Sequence, residues 1–204
     1  YLHDTGRVEE APFRIDTPGG TVGCEVADGG DRITVEMGTV SFHSADIPHA
    51  GEPREVVGET MQVDGEPLTY TAATIGNPHC VIPMDAISEA TARRFGPQIE
   101  NDTTRFPNRT NVQFLQVIDE HTIAIEIWER GAGYTLASGS SSSASAAVAV
   151  RLGLVSGPDV TVKMPGGTLA ITVAEDYAIT MTGPATRVGL FEMDPGVPQQ
   201  DVPL

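Results

Sequence analysis

The sequence predicts an α+β protein, mostly β, whose two halves are related by pseudo-twofold symmetry. Three observations carry this reading. Several runs alternate apolar and polar residues with period two, one stretch of small and apolar residues reads as a buried helix, and one strand–turn–strand unit occurs twice.

Ile33–Met37 alternates, as do Val112–Val117 and, less strictly, Thr122–Trp128. Val160–Met164, Thr168–Val173 and Ala178–Thr182 do the same. Gly, Pro and Asp clusters between these runs mark turns, so the runs read as half-buried strands. Two helices are expected. One covers Ile87–Phe95, opening near Asp85, which can cap, and closing at Gly96-Pro97. The other covers Ser142–Leu152 and closes at Gly153. Its faces are nearly all small or apolar, so strands should surround it. Residues 45–53, with Pro48, Gly51 and Pro53, read as a connection. The tail 194–204 has three prolines and no periodicity, so it is expected to be poorly ordered.

The repeat lies in residues 17–40 and 163–188. Each has Pro-Gly-Gly-Thr, a strand, an acidic turn, and a strand ending Met-Gly or Met-Thr-Gly. The offset is 147 at Gly20/Gly167 and 145 at Gly38/Gly183, a two-residue indel in the turn. Two hairpins sharing common turn residues would be the plainer account; a duplicated domain is the sharper one. The duplication maps Arg151-Leu152-Gly153 onto Asp4-Thr5-Gly6, so Tyr1–Asp4 should be the last turn of an equivalent helix. The equivalent of Ser138 would then fall ahead of Tyr1, and the chain is expected to be part of a longer one.

Twelve basic against 28 acidic residues give the 204-residue chain a net charge of −16, and Lys163 is its one lysine. No basic patch is present, which argues against nucleic acid and anionic membrane surfaces. No apolar run approaches a membrane span, and the first residues do not read as a signal peptide. Cys24 and Cys80 make no disulfide framework. A cytoplasmic protein with reduced thiols is expected.

Four clusters could carry chemistry. Gly76-Asn77-Pro78-His79-Cys80 offers an amide and a ring that titrates near neutrality, on a turn. Arg105–Val112 places Arg109 and Asn111 at the mouth of a strand, where a solvated entry is the plain alternative. Glu129-Arg130-Gly131-Ala132-Gly133 delivers two charges into a Gly-rich turn. Arg130 could clamp a carboxylate and Glu129 an ammonium or a proton, against a surface ion pair of little worth. In Ser138–Ser145, six of eight residues are serine. A linker has this composition too, but the buried helix that follows makes it a helix N-terminus, suited to an anion. The run lacks the nucleophile-elbow pattern and a phosphate-loop lysine.

Together these clusters resemble one family. GNPHCV at 76–81, RxNVxF at 109–114, WERGAG at 128–133 and ASGS at 137–140 stand in the order and spacing of diaminopimelate epimerase, as do the Pro-Gly-Gly-Thr strand and Met-Thr-Gly-Pro-Ala at 181–185. The resemblance runs to about residue 192. It implies mostly antiparallel β structure in two pseudo-symmetric domains, each wrapping strands around a central helix, with the site between them. Residues 1–44 would be the remainder of the N-terminal domain, 45–182 the C-terminal domain, 183–193 a strand returning to the N-terminal domain, and 194–204 a tail. The implied reaction is inversion at an amino acid α-carbon without pyridoxal phosphate or any other cofactor, in the pathway to lysine and cell-wall precursors. One cysteine removes the α-proton and another, on the opposite face, returns one. Backbone N–H groups at helix ends must hold the carboxylate as charge builds on it. Gly139 and Ser140 would hold that carboxylate. Asn77, Asn111, Glu129 and Arg130 would bind the substrate's polar ends, and His79 and Glu129 would tune the proton-transferring groups. No metal is implied; the partner is a small amino acid, and a homodimer is the suggested assembly.

The chain departs from the family at the chemistry itself. The second catalytic cysteine sits in Ala-Cys-Gly-Ser, and here that position is Ser138. The first, in a Cys-Gly-Asn-Gly loop, would precede Tyr1. Three readings follow: an epimerase of this family, a related racemase or isomerase with another substrate, and a non-catalytic amino-acid-binding homologue.

Overall fold

The computed structural model describes residues 1–17 and 20–189. In chain order its elements are β1 (Phe13–Thr17), β2 (Gly20–Ala27), β3 (Arg32–Thr39), β4 (Glu59–Val63), β5 (Glu66–Thr74) and β6 (Pro78–Pro83). Then come α1 (Glu89–Glu100), β7 (Asn111–Asp119), β8 (Thr122–Glu129), the short β9 (Gly133–Thr135) and α2 (Gly139–Arg151). β10 (Asp159–Met164), β11 (Gly167–Val173) and β12 (Ala178–Gly183) complete the described part. The strands hydrogen-bond in the order β1-β2-β3-β12-β11-β10-β8-β7-β6-β5-β4, with β9 on β8. Only the β6/β7 and β8/β10 pairs are parallel among the described residues. The α+β fold with mostly antiparallel pairing is as expected. Among the described residues no helix is long and apolar enough to cross a membrane.

Alternation divides the sheet into two faces. On one, Ala73, Val81, Leu115, Ile123, Ile125, Ile127, Val160, Val162, Ile171 and Ile179 close around α2, whose residues Ala144–Ala149 are buried. Strands thus wrap a central helix, which explains its apolar circumference. On the other face, Cys80, Ile82, Val112 and Phe114 pack against Ala92, Phe95 and Ile99 of α1.

The internal repeat is visible in the pairing. β3 lies beside β12, so the two copies meet at one seam. Shifted by the 145-residue offset, Val35 maps onto Thr180 and Glu36 onto Met181; Val35 pairs with Met181 and Glu36 with Thr180. Exchanging the copies reproduces the same two pairs, the mark of a local twofold axis. The helix ends repeat too. Gly153 N–H bonds the Val150 carbonyl and Leu154 N–H that of Ala149; Gly6 N–H bonds that of His3 and Arg7 N–H that of Leu2. Both glycines have left-handed φ, +65° and +66°. This is one helix C-cap made twice, and glycine is the residue that adopts it without strain.

The strand expected over 183–193 is absent from 184–189. β12 itself pairs with β3, because its Met-Thr-Gly end continues the alternation begun at Ala178. Pro18-Gly19, residues 190–193 and the tail 194–204 lie outside the described residues.

The first helix also differs from expectation. It begins at Glu89, where the Ser88 hydroxyl accepts from Thr91 N–H at 3.1 Å, not near Asp85. It runs through Gly96-Pro97 to Glu100 because Ile99 and Glu100 are anchored against the sheet. Gly96 serves packing here: a Cβ would fall 2.4 Å from Cγ of Trp128. Gly96→Ala is therefore expected to destabilise by about 1–3 kcal/mol through overpacking, despite alanine's better helix propensity. Urea unfolding would show it, and an unchanged or raised midpoint would contradict the packing role.

Candidate functional site

Strand parity places three of the sequence-predicted residues on the α2 side of the sheet. His79 on β6 pairs with Asn111 on β7, and Val112 on β7 pairs with Trp128 on β8. His79, Asn111 and Glu129 therefore share a face at one end of three adjacent strands, the end that meets the N-terminus of α2.

The GNPH turn is tied to the strand mouth. Asn111 is buried and its amide donates to the Pro78 carbonyl at 2.8 Å, while its Oδ1 accepts from Arg130 N–H at 3.0 Å. One N–H of the amide is left for a ligand. Asn111 is thus more than the solvated strand entry its sequence allows. The Arg130 guanidinium donates to the Asn108 carbonyl at 2.9 Å, and Glu129 pairs through its backbone with Gly133 across the hairpin.

His79 is wholly buried, with Nε2 3.0 Å from Asn77 Oδ1. Burial, helped by the Arg130 charge and opposed by Gln113, lowers its pKa to about 4. The ring is neutral at pH 7 and orients Asn77 rather than carrying charge. Stability should follow. An unfolded ring takes its proton near 6.5, the folded one near 4. Between these values the unfolded chain binds more protons, so stability rises with pH and is lost as pH falls through that window, by about 3 kcal/mol in full. Unfolding of the protein and of His79→Gln at pH 7 and 4.5 measures it; equal pH dependence in the two would refute it.

Ser138 is the N-cap of α2. Its Oγ accepts from Ser141 N–H at 3.4 Å and its carbonyl accepts from Ser142 N–H and Oγ–H. Residues 139–141, which lie ahead of the helix expected to start at Ser142, form its first turn. The N–H groups of Gly139 and Ser140 have no carbonyl one turn back, which leaves them and the positive helix end available to an anion. Methionines close the base of this end. A Cβ on Gly139 would lie 3.0 Å from Met181 Sδ, and Met164 Sδ accepts from Ser138 N–H at 3.5 Å and Ser142 Oγ–H at 3.2 Å. Among the described residues no histidine or carboxylate hydrogen-bonds Ser138 Oγ, so nothing there turns it into a strong base. The cysteines offer no substitute. Cys80 is core, its thiol pushed far up by burial, and Cys24 is raised by burial and the Glu36 charge.

Two residues that organise the site escape the sequence reading. Glu100, the last residue of α1, is 5% exposed. It accepts from Trp128 Nε1 at 2.7 Å, Gly131 N–H at 2.8 Å and Arg109 Nη1 at 2.9 Å, fixing the turn that carries Glu129 and Arg130. It lies past the Gly-Pro taken as the helix stop. Gln113 joins the strand face to the helix, donating to Ser141 Oγ at 3.0 Å. Its position two residues after Asn111 was the available signal. A cavity of about 400 Å³ beside β1–β3, lined by Arg14, Glu25 and Glu36, contains none of the candidate residues.

Comparisons with known proteins identify the family of the chain. The family model for diaminopimelate epimerase matches residues 71–188. "Diaminopimelate epimerase 2" of Nostoc sp. is 54% identical over 95% of this chain and 67% of its own length. The diaminopimelate epimerase of Desulfitobacterium hafniense is 38% identical over 92% and 67%. The chain therefore spans about two thirds of the length of these relatives. Among solved structures, a probable proline racemase from Agrobacterium radiobacter K84 superposes with a TM-score of 0.69 at 17% identity, over 97% of this chain and 66% of that one. A hydroxyproline epimerase from Agrobacterium vitis gives 0.63 at 17% identity, over 90% and 60%. These two likenesses speak for the fold alone. The four motifs, the helix end they converge on, and relatives of this identity and coverage lead to one conclusion: the chain belongs to the diaminopimelate epimerase family.

Proposed function

We propose that this chain provides the C-terminal half-site and part of the N-terminal half of an LL-/meso-diaminopimelate epimerase, inverting an amino acid α-carbon without pyridoxal phosphate. The observation that carries the reading is the meeting of the Asn77–His79 turn, Asn111 and the Glu129–Arg130 turn with the N-terminus of α2. Removing an α-proton puts negative charge onto the substrate carboxylate. Free N–H groups at a helix end are preorganised for that charge, so Gly139 and Ser140 hold the carboxylate. Arg130, Glu129, Asn77 and Asn111 serve the ammonium and carboxylate groups at the substrate's other positions. His79, neutral and buried, sets the orientation of Asn77. Ser138 stands at the position from which an acid or base would face one side of the α-carbon, its hydroxyl a poor base there, and a group from the other half faces the opposite side.

The names of the relatives support diaminopimelate as substrate, and with that substrate the reaction would serve lysine and cell-wall precursor synthesis. The β3–β12 seam supports residues 1–44 and 45–182 as parts of two halves. A cytoplasmic location and a homodimer complete the reading.

The test is solvent deuterium exchange at the α-carbon, followed by NMR in D2O for diaminopimelate, proline and glutamate. Exchange into diaminopimelate alone is expected. Exchange into another amino acid would point to a related racemase. Ser138 in place of a thiol favours a second reading, a homologue that binds the amino acid without catalysis; binding with no exchange would establish it.

A further inference from the structure

We propose that Gln113 is a positioning residue of this reaction, its buried amide donating to His79 Nδ1 and accepting from the Ser141 hydroxyl, so that the Asn77–His79 turn is locked to the first turn of α2. The proposal rests on the functional reading above.

Gln113 is fully buried, the third residue of β7, between Val81 on β6 and Ile127 on β8. It lies close enough to His79 to act on the ring's protonation. Yet His79 Nδ1 and Gln113 Oε1 are both buried without a partner, while Gln113 Nε2 points to Ser141 Oγ at 3.0 Å. Proton counting shows why. The bond from His79 Nε2 to Asn77 Oδ1 requires the proton on Nε2. In a neutral ring Nδ1 is then an acceptor, and the other orphan, Gln113 Oε1, is an acceptor as well. Two buried acceptors cannot satisfy one another, and leaving both unpaired is costly.

Exchanging the oxygen and nitrogen of Gln113 changes no shape, since an amide's two ends are nearly alike in outline. It removes both orphans at once. Nε2 then donates to His79 Nδ1, and Oε1 accepts from the Ser141 hydroxyl, which is free to rotate. Ser141 N–H continues to cap on Ser138 Oγ. The result is an unbroken chain from Asn77 through His79, Gln113 and Ser141 to Ser138. Its two ends flank the place where the substrate's α-carbon and carboxylate would lie. The Nε2–H tautomer holds Asn77 Oδ1 inward and turns the Asn77 NH2 toward the ligand.

Histidine 15N NMR of the protein at its full length tests this directly. The His79 ring is expected as the neutral Nε2–H tautomer across pH 5.5–8. Gln113→Met keeps length and bulk but cannot bridge. It should mix the His79 tautomers and lower kcat for α-proton exchange about tenfold, with KM for diaminopimelate changed less than threefold. Gln113→Glu should raise the His79 pKa by more than one unit and add a matching acid limb to the pH profile. A wild-type ring protonated on Nδ1, or a Gln113→Met protein with unchanged His79 signals and kcat, would overturn the bridge. If the wild type exchanges no amino acid α-proton, the functional reading fails, and the tautomer still decides the bridge separately.

Discussion

Replacing Ser138 by cysteine is expected to raise the rate of α-proton exchange by about 10²- to 10⁴-fold, the range that a well-matched general acid–base contributes. A serine hydroxyl holds its proton far too tightly at neutral pH, and no neighbouring base among the described residues relieves it. A thiol ordinarily titrates near 8.5 and is lowered at a helix N-terminus. Ser138 occupies that position, its Oγ already facing the Ser141 N–H. A thiolate there would gain from the helix dipole at the atom meant to take the proton. Cysteine caps a helix less well than serine, so a stability loss of about 1 kcal/mol should accompany the gain. Deuterium exchange rates against pH, with melting temperatures of both proteins, measure the two effects. Should the cysteine variant instead lose an activity the serine protein has, the hydroxyl is the working group and the assignment of roles falls.

Glu100→Ala should have the largest effect on stability, about 3 kcal/mol. The carboxylate is buried and accepts three donors, two of them in or next to the site turn, from Trp128 and Gly131. Alanine leaves these donors unpaired. The Arg109 contact adds little, since that side chain is 46% exposed and screened by solvent. Released from α1, the turn bearing Glu129 and Arg130 should drift, raising KM for substrate about tenfold. Glu100→Gln, which keeps one acceptor oxygen, should recover about half of the stability. Urea unfolding and steady-state kinetics on both variants decide this. A KM unchanged in a destabilised Glu100→Ala would limit Glu100 to holding the fold.

Much of the architecture is legible in the residues. Period-two alternation gives the strands of both faces, since a half-buried strand must put one side to solvent and one to core. The Ala/Val run of α2 announces a helix enclosed on all sides. The repeated Pro-Gly-Gly-Thr unit announces two copies, and the helix caps at Gly6 and Gly153 are built alike because only glycine takes that φ freely. The site motifs are legible as well, because each concentrates chemistry on a turn at a strand end.

The extent of α1 is not legible. Gly96-Pro97 reads as a stop by local rules, but the glycine makes room for Trp128, a residue 32 positions later in the chain. Burial of Ile99 and Glu100 outweighs the hydrogen bond lost at the proline. The same distance in sequence hides Glu100's three partners and Gln113's place between His79 and Ser141.

The sequence by itself determined most of the strands, the central helix, the duplication and the residue types at the site, because periodicity, turn chemistry and capping act over a few neighbours. Only the tertiary structure decided which residues hold those side chains in place. Those contacts form between strands and helices far apart in the chain, where burial makes an unpaired polar group costly and so fixes its partner.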